Sequence, residues 1–165
     1  MRLTVYTDFS LRLLMFLALR SDRLATIAEI AKAYGVSRNH LMKVAHQLGL
    51  AGYVETVRGK GGGLRLAREP KDIVLGEVVR HAEPDMALVP CFDPVGASCA
   101  ILPCCRLIHA LAGARRAFLT ALDQHTLADL VRPRARLRRL LAIEAGAGPT
   151  RRPAGMSARR GANVR

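Results

Sequence analysis

Tryptophan is absent from this 165-residue chain, and phenylalanine and tyrosine together make up 4% of it. Alanine, leucine and arginine dominate instead, a composition that suits helices. Long hydrophobic runs are missing as well. The opening "MRLTVYTDFSLRLLMFLALRSD" lacks a basic region followed by a clean apolar run and a small-residue cleavage site, so it does not read as a secretory signal. Arg12 and Arg20 interrupt its apolar residues, and what remains is too short to span a bilayer. A cytoplasmic protein without a membrane partner is expected. No catalytic constellation stands out. The histidines at 40, 46, 81, 109 and 125 have no serine, cysteine or carboxylate at an obvious catalytic spacing, so the chain does not read as an enzyme. The glycine-rich stretch from Arg58 to Gly63 lacks the Gly-Lys-Ser/Thr ending and the following helix of a phosphate-binding loop.

Acidic residues are scarce, 13 Asp/Glu against 26 Lys/Arg, and the imbalance is uneven. Residues 1–71 carry a net +7, residues 72–131 a net −3, and residues 132–165 a net +9. A basic folded module suggests a polyanion partner, most often nucleic acid, although a basic surface also serves solubility alone. Half the residues are apolar, enough for a useful core, and the length fits one domain, or a small domain with an appendage.

Periodicity places the elements. Leu11, Leu14, Leu17 and Ala18 put one apolar face on a first helix over 8–21. Thr26 with Glu29 forms a capping box, and Ile27, Ile30, Ala31 and Tyr34 make 27–34 a short amphipathic helix. Gly35 can take the left-handed turn that ends it. Ser37 can cap a second helix, 38–49, whose Leu41, Val44 and Leu48 face inward. Helix, glycine turn and capped helix form a helix-turn-helix. Ser37, Arg38, Asn39, His40, Lys43, His46 and Gln47 then become candidate DNA-binding residues. Arg and Lys pair with guanine, Asn and Gln with adenine. Two short strands, 53–57 and 64–67, flank the glycine-rich turn as a β-hairpin, a wing whose Arg58, Lys60 and Arg65 are expected at its tip.

A linker and short helix fill 70–83, with Val78, Val79 and Ala82 apolar. A long helix is expected from about 104 to 123. Its Leu107, Leu111, Ala114, Phe118 and Ala121 recur at spacings of four and three, a coiled-coil-like seam that serves either packing within its own domain or, the favoured reading, pairing with a second copy. "TLADLV" (126–131) is a short capped turn. Beyond Arg132 the only brief periodicity is "LRRLLAIEA", and 146–165 reads as disordered.

All four cysteines fall in "CFDPVGASCAILPCCRL", residues 91–107. Reducing conditions disfavour a structural disulfide and favour a metal or redox site. Zinc usually takes two chelating pairs, which these spacings do not supply. An iron–sulfur cluster tolerates them: Cys91, Cys99 and Cys105 read as C-x7-C-x5-C. Cys105 is expected in the first turn of the long helix, where the dipole favours a thiolate.

Taken together, "LTVYTDFSLRLLMFLA", "IAEIAKAYGVSRNHLMKVAHQLGLAGYVETVRGKGGGLRLA", "LGEVVRHAEP", the cysteine triad and "TLADLV" resemble the Rrf-two family of winged-helix, iron–sulfur transcriptional regulators over about residues 1–131. "SRNHLMKV", "CFDP", "PCCRL" and "HTLADLV" point to its nitric-oxide-sensing subtype. The resemblance implies a mainly α fold: a winged helix-turn-helix DNA-binding domain (1–72), a cluster-binding loop and dimerisation helix (73–131), and a basic, largely disordered tail (132–165). It implies a homodimeric repressor on a palindromic operator in double-stranded DNA, released when nitric oxide nitrosylates the cluster. The cluster, with [4Fe-4S] favoured and [2Fe-2S] the alternative, would be held by Cys91, Cys99, Cys105 and Asp8 of the partner subunit. Ile108 stands where the subtype regulating cluster biogenesis has a histidine ligand, which argues against that subtype. Cys104 departs from the pattern and is either a substitute for Cys105 or a spare thiol. An iron- or redox-responsive regulator and a zinc-stabilised interaction module are the competing readings.

Overall fold

The computed structural model describes residues 2–92 and 99–143. Helix α1 spans Val5–Leu19. It begins three residues earlier than the apolar pattern suggests, because the Thr4 hydroxyl accepts the Thr7 N–H at 3.2 Å and caps it. Leu13, Leu14, Phe16, Leu17 and Leu19 are buried along it. Each such side chain contributes about 1.5–3 kcal/mol on transfer from water.

Helix α2 (Ile27–Tyr34) starts with the expected reciprocal capping box: Thr26 Oγ1 accepts from Glu29 N, and Glu29 Oε2 accepts from Thr26 N. Gly35 ends it at φ 65°. Helix α3 (Arg38–Leu50) follows, burying Leu41, Val44, Ala45 and Leu48. Ser37 stands at its N-cap position, but its side chain makes no capping hydrogen bond.

Strands β1 (Val54–Val57) and β2 (Gly63–Leu66) pair antiparallel, with Glu55 opposite Arg65 and Val57 opposite Gly63. Ala25 and Leu64 exchange backbone hydrogen bonds of 3.0 and 2.7 Å, which tie the hairpin to the loop before α2. A Cβ at Gly63 would lie 2.7 Å from the Ala25 carbonyl oxygen, so this close approach requires glycine.

Helix α4 (Leu75–Ala82) packs on α1 and on α5 (Arg106–Asp123). Helix α6 (Leu127–Leu130) is capped by Thr126 and Asp129 and sends Leu127 into the core. Helix α7 (Arg134–Leu140) docks on the C-terminus of α1. Arg134 donates to the Ala18 carbonyl at 2.9 Å and Arg138 to the Leu19 carbonyl at 2.7 Å, satisfying acceptors that a helix end leaves open. Ile143 beyond it is buried. The expected tail therefore includes a folded segment, 134–143, because Arg134 and Arg138 reach the last carbonyls of α1 while Leu137 and Leu141 pack against the core. The expectation of disorder at 146–165 lies outside the described residues.

One core joins Leu14, Phe16, Ile30, Leu41, Leu48, Val54 and Leu64 to Ile73, Val78, Leu127, Val131 and Ile143. It crosses the positions 72 and 131 at which composition changes. Among the described residues no helix is long and apolar enough to cross a membrane.

Candidate nucleic-acid interface and cysteine site

Helices α2 and α3 meet through a three-residue turn, Gly35 to Ser37. With the apolar face of α3 buried, Ser37, Arg38, Asn39, His40, Lys43, His46 and Gln47 are all exposed. One neighbour of this set is not among the residues that the sequence singles out. Met42 is 53% exposed and stands three residues after Asn39 and four before His46, so it shares their row on the helix. Its polar company was the available signal. His40 faces the ring of Phe9 of α1, with centroids 6.1 Å apart.

The wing presents Arg58 and Lys60 in its turn, where Gly59 and Gly61 adopt φ 98° and 80°. Arg65 is not at the tip. It lies mid-strand, and its Nε donates to Glu55 Oε2 at 2.8 Å. The cross-strand register sets this pairing, and the guanidinium holds the Glu55 carboxyl below its usual range. Arg65 thus brings no free charge to the wing.

Asp8 lies in the first turn of α1, about half exposed, and accepts a hydrogen bond from Arg12 Nε at 2.8 Å. The Arg12 guanidinium in turn sits 5.8 Å from the ring centroid of Tyr34, at the end of α2. Burial pushes the Tyr34 phenol up to about 12. Asp8 is therefore one contact from each helix of the helix-turn-helix: through Arg12 and Tyr34 to α2, and through its neighbour Phe9 to α3.

Glu83 is a second residue the sequence did not flag. Its Oε1 accepts from Thr4 N at 2.8 Å, from Thr4 Oγ1 at 3.1 Å and from Thr7 Oγ1. A carboxylate at a helix N-terminus is favourable electrostatically. This one joins α1 to the end of α4, just before the cysteine stretch begins.

All four cysteines are free thiols. Cys91 is half-buried in a single 3-10 turn, Pro90–Phe92, whose Phe92 ring lies under Arg115 of α5 at 4.9 Å. Cys99 is exposed, and its carbonyl accepts from Leu102 N at 3.1 Å. A second single turn, Leu102–Cys104, leads into α5. Cys104 is exposed and its thiol donates to the Ile101 carbonyl at 3.5 Å. Cys105 is half-buried at the N-cap of α5, one position outside the helix rather than in its first turn, because its backbone is extended (φ −74°, ψ 106°). Soft thiolates in a proline-punctuated loop are suitable donors for iron. Among the described residues of one chain, no group of three or more Cys, His, Asp or Glu could hold a metal ion.

The Rrf2 family model, described as an iron-dependent transcriptional regulator, matches residues 3–133. The chain belongs to the Rrf2 family. Among curated relatives of this Rrf2 protein, the HTH-type transcriptional regulator NsrR of Bacillus subtilis (strain 168) is 50% identical over 145 residues. That match covers 87% of this chain and 99% of the relative. The NsrR of Geobacillus kaustophilus (strain HTA426) is 49% identical over 142 residues, 86% of this chain and 97% of the relative. Two solved structures share the fold. T. potens IscR has a TM-score of 0.62 at 24% identity, covering 79% of this chain and 86% of that one. CymR, the global cysteine regulator of B. subtilis, also has a TM-score of 0.62 at 24% identity, over 79% of this chain and 95% of that one. The family resemblance read from the sequence is borne out, as is the mainly helical winged-helix fold. This Rrf2 protein is a DNA-binding transcriptional regulator and not an enzyme.

Proposed function

We propose that this Rrf2 regulator is a homodimeric repressor that senses nitric oxide through an iron–sulfur cluster. The observation that supports the reading is that the free thiols Cys91, Cys99 and Cys105 lie along the stretch that leads into α5, a helix with no buried residue of its own. An amphipathic helix that packs on α4 yet buries no side chain fully in one chain is suited to burial against a second copy. The named similarity to NsrR regulators supports the subtype.

In this reading residues 1–72 bind the operator and residues 73–131 hold the cluster and the dimer seam. Cys91, Cys99 and Cys105 supply three thiolates, and Asp8 of the partner subunit supplies a carboxylate. Cys104, exposed and turned to the Ile101 carbonyl, is the spare thiol. A [4Fe-4S] cluster is favoured over [2Fe-2S]. When bound, it supplies iron that reacts with nitric oxide.

The protein's own part is a choice of partner for Asp8. An oxygen donor suits iron less well than a thiolate, and Arg12 stands ready to receive it at 2.8 Å. Moving the Asp8 carboxylate between the partner's site and Arg12 biases the packing of α1 against Tyr34 and His40, hence the setting of α2 and α3 on DNA. Arg58 and Lys60 add phosphate contacts that fix orientation, while the α3 set reads base edges. The family description, iron-dependent, favours a second reading in which iron supply is the signal on the same site.

The deciding experiment titrates anaerobically purified protein, on an operator duplex at stated salt, with nitric oxide. Release of DNA in step with loss of cluster absorbance is expected. Persistence of binding after the cluster has fully reacted rejects the sensor mechanism. Stoichiometric zinc without sulfide in the purified protein rejects the cluster itself.

A further inference from the structure

We propose that Met42 is a specificity residue of the recognition helix, reading the 5-methyl group of a thymine in the major groove. The inference rests on the DNA-binding function of the family and is independent of the cluster. Helix α3 buries Leu41, Val44, Ala45 and Leu48, so Met42 is no part of the core. It is a large apolar side chain between Asn39 and His46 in the polar row of α3, and it is 53% exposed, whereas the other exposed apolar residue of α3, Leu50, stands at its C-terminal end.

Beside it runs a groove of about 340 Å³ between α3 and the wing, lined by Ile27, Met42, Ala45, His46, Thr56 and Arg58 among others. Ile27, Ala45 and Leu64 make its walls largely apolar, and Arg58 brings positive charge to the edge. That combination fits a duplex: phosphate at the rim and something apolar inside. Among base edges in the major groove, the thymine methyl is the apolar group. An unbranched thioether adapts its shape to such a contact and carries no polar group that would be left without a partner.

The spacing makes the inference sharper. Met42 lies about 4.5 Å beyond Asn39 along the helix axis. Base pairs are about 3.4 Å apart. With Asn39 paired to an adenine edge, a thymine within one or two base pairs of it lies in reach of Met42. Operators of this protein should therefore carry a thymine close to the adenine that Asn39 reads.

The test begins with anaerobically purified full-length protein and a random duplex library. From the selected sites, each thymine is replaced in turn by deoxyuridine, which removes only the methyl group. Affinity is measured by fluorescence anisotropy at one salt concentration, for wild type and Met42→Ala. At one thymine of the half-site, loss of the methyl should weaken wild type about four-fold, the value of one buried methyl group. The same replacement should leave Met42→Ala essentially unchanged. Wild-type affinity that ignores every replacement overturns the proposal, as does a loss of equal size in both proteins. Selection of no duplex at all would overturn it together with the DNA-binding reading, and is distinguishable because no affinity could then be measured for either protein.

Discussion

His40 of the recognition helix and Phe9 of α1 face each other with ring centroids 6.1 Å apart and planes inclined by 37°. The contact matters because Phe9 follows Asp8, so a shift at the proposed cluster ligand reaches α3 through a single side-chain pair. Phe9→Ala removes this contact from a half-buried position and should cost about 2 kcal/mol of stability. The informative readout is affinity for the operator. Iron and sulfide content should stay at wild-type levels while DNA binding weakens several-fold. Unchanged binding would show that α1 does not set α3 through this pair.

Replacing Asp8 with alanine separates folding from cofactor retention. The Asp8–Arg12 pair is an exposed i,i+4 ion pair, worth only about 0.3–0.5 kcal/mol. The melting temperature of the cluster-free protein should barely move. The lifetime of the cluster in air or nitric oxide, followed by absorbance, should change clearly. An identical lifetime in Asp8→Ala and wild type rejects Asp8 as a ligand.

These two expectations also show where the sequence was readable. The helix-turn-helix was legible because its signals are local: the Thr26–Glu29 box, Gly35, and the period of Leu41, Val44 and Leu48 each act within about two turns. Arg65 was misplaced because its neighbours along the chain suggest a basic tip, whereas its partner Glu55 is set by hairpin register. Cys105 moved out of the first helical turn because a one-residue shift at a helix start leaves no periodic trace. Glu83 escaped notice for another reason. Its acceptor role depends on Thr4 and Thr7, more than seventy residues away in sequence. Helix α7 was hidden by composition, since its arginines read as tail until their carbonyl partners on α1 are known.

The contact of α4 with α5 rests on a missing side chain. A Cβ at Gly76 would lie 1.9 Å from Asp123 Oδ1, and that carboxylate is held by Arg80 through bonds of 2.7 and 2.6 Å. Gly76→Ala should therefore break the pair or push α5 away, destabilising the protein by about 1–3 kcal/mol as other overpacked sites do. Removing the obstacle should repair it. The double variant Gly76→Ala, Asp123→Ala should be more stable in urea than the sum of the single effects predicts. Strict additivity would refute the steric account.

Acid should weaken the fold at the start of α2. The Arg23 guanidinium, with help from the Thr26 N–H and hydroxyl, lowers the Glu29 carboxyl from 4.5 to about 2, against the opposing effect of burial. A lowered folded-state value stabilises the protein above the unfolded value, near 4.5, and this contribution is lost as pH falls toward about 2. Glu29 is partly exposed, so solvent screening leaves about 1 kcal/mol. Urea melts of wild type and Glu29→Gln should differ by about that amount at neutral pH. The gap should narrow steadily below pH 4.5, and a constant gap would mean that ionisation of Glu29 is not its source.

Dimerisation should be lost without loss of fold. Leu107 is 63% exposed in one chain, and no residue of α5 is fully buried. The α4 contact holds α5 through Arg80 and Asp123, so the seam of Leu107, Leu111, Ala114, Phe118 and Ala121 needs no partner to keep its helix in place. Leu107→Glu places a charge where a second copy would bury an apolar side chain, and an unpaired buried charge is costly. Sedimentation should show the variant at half the wild-type mass, with helix content unchanged by circular dichroism. Cluster content should fall with it, because Asp8 of the partner subunit is then out of reach. A monomeric wild type would contradict the shared site, and a dimeric variant that keeps its cluster would move the seam away from Leu107.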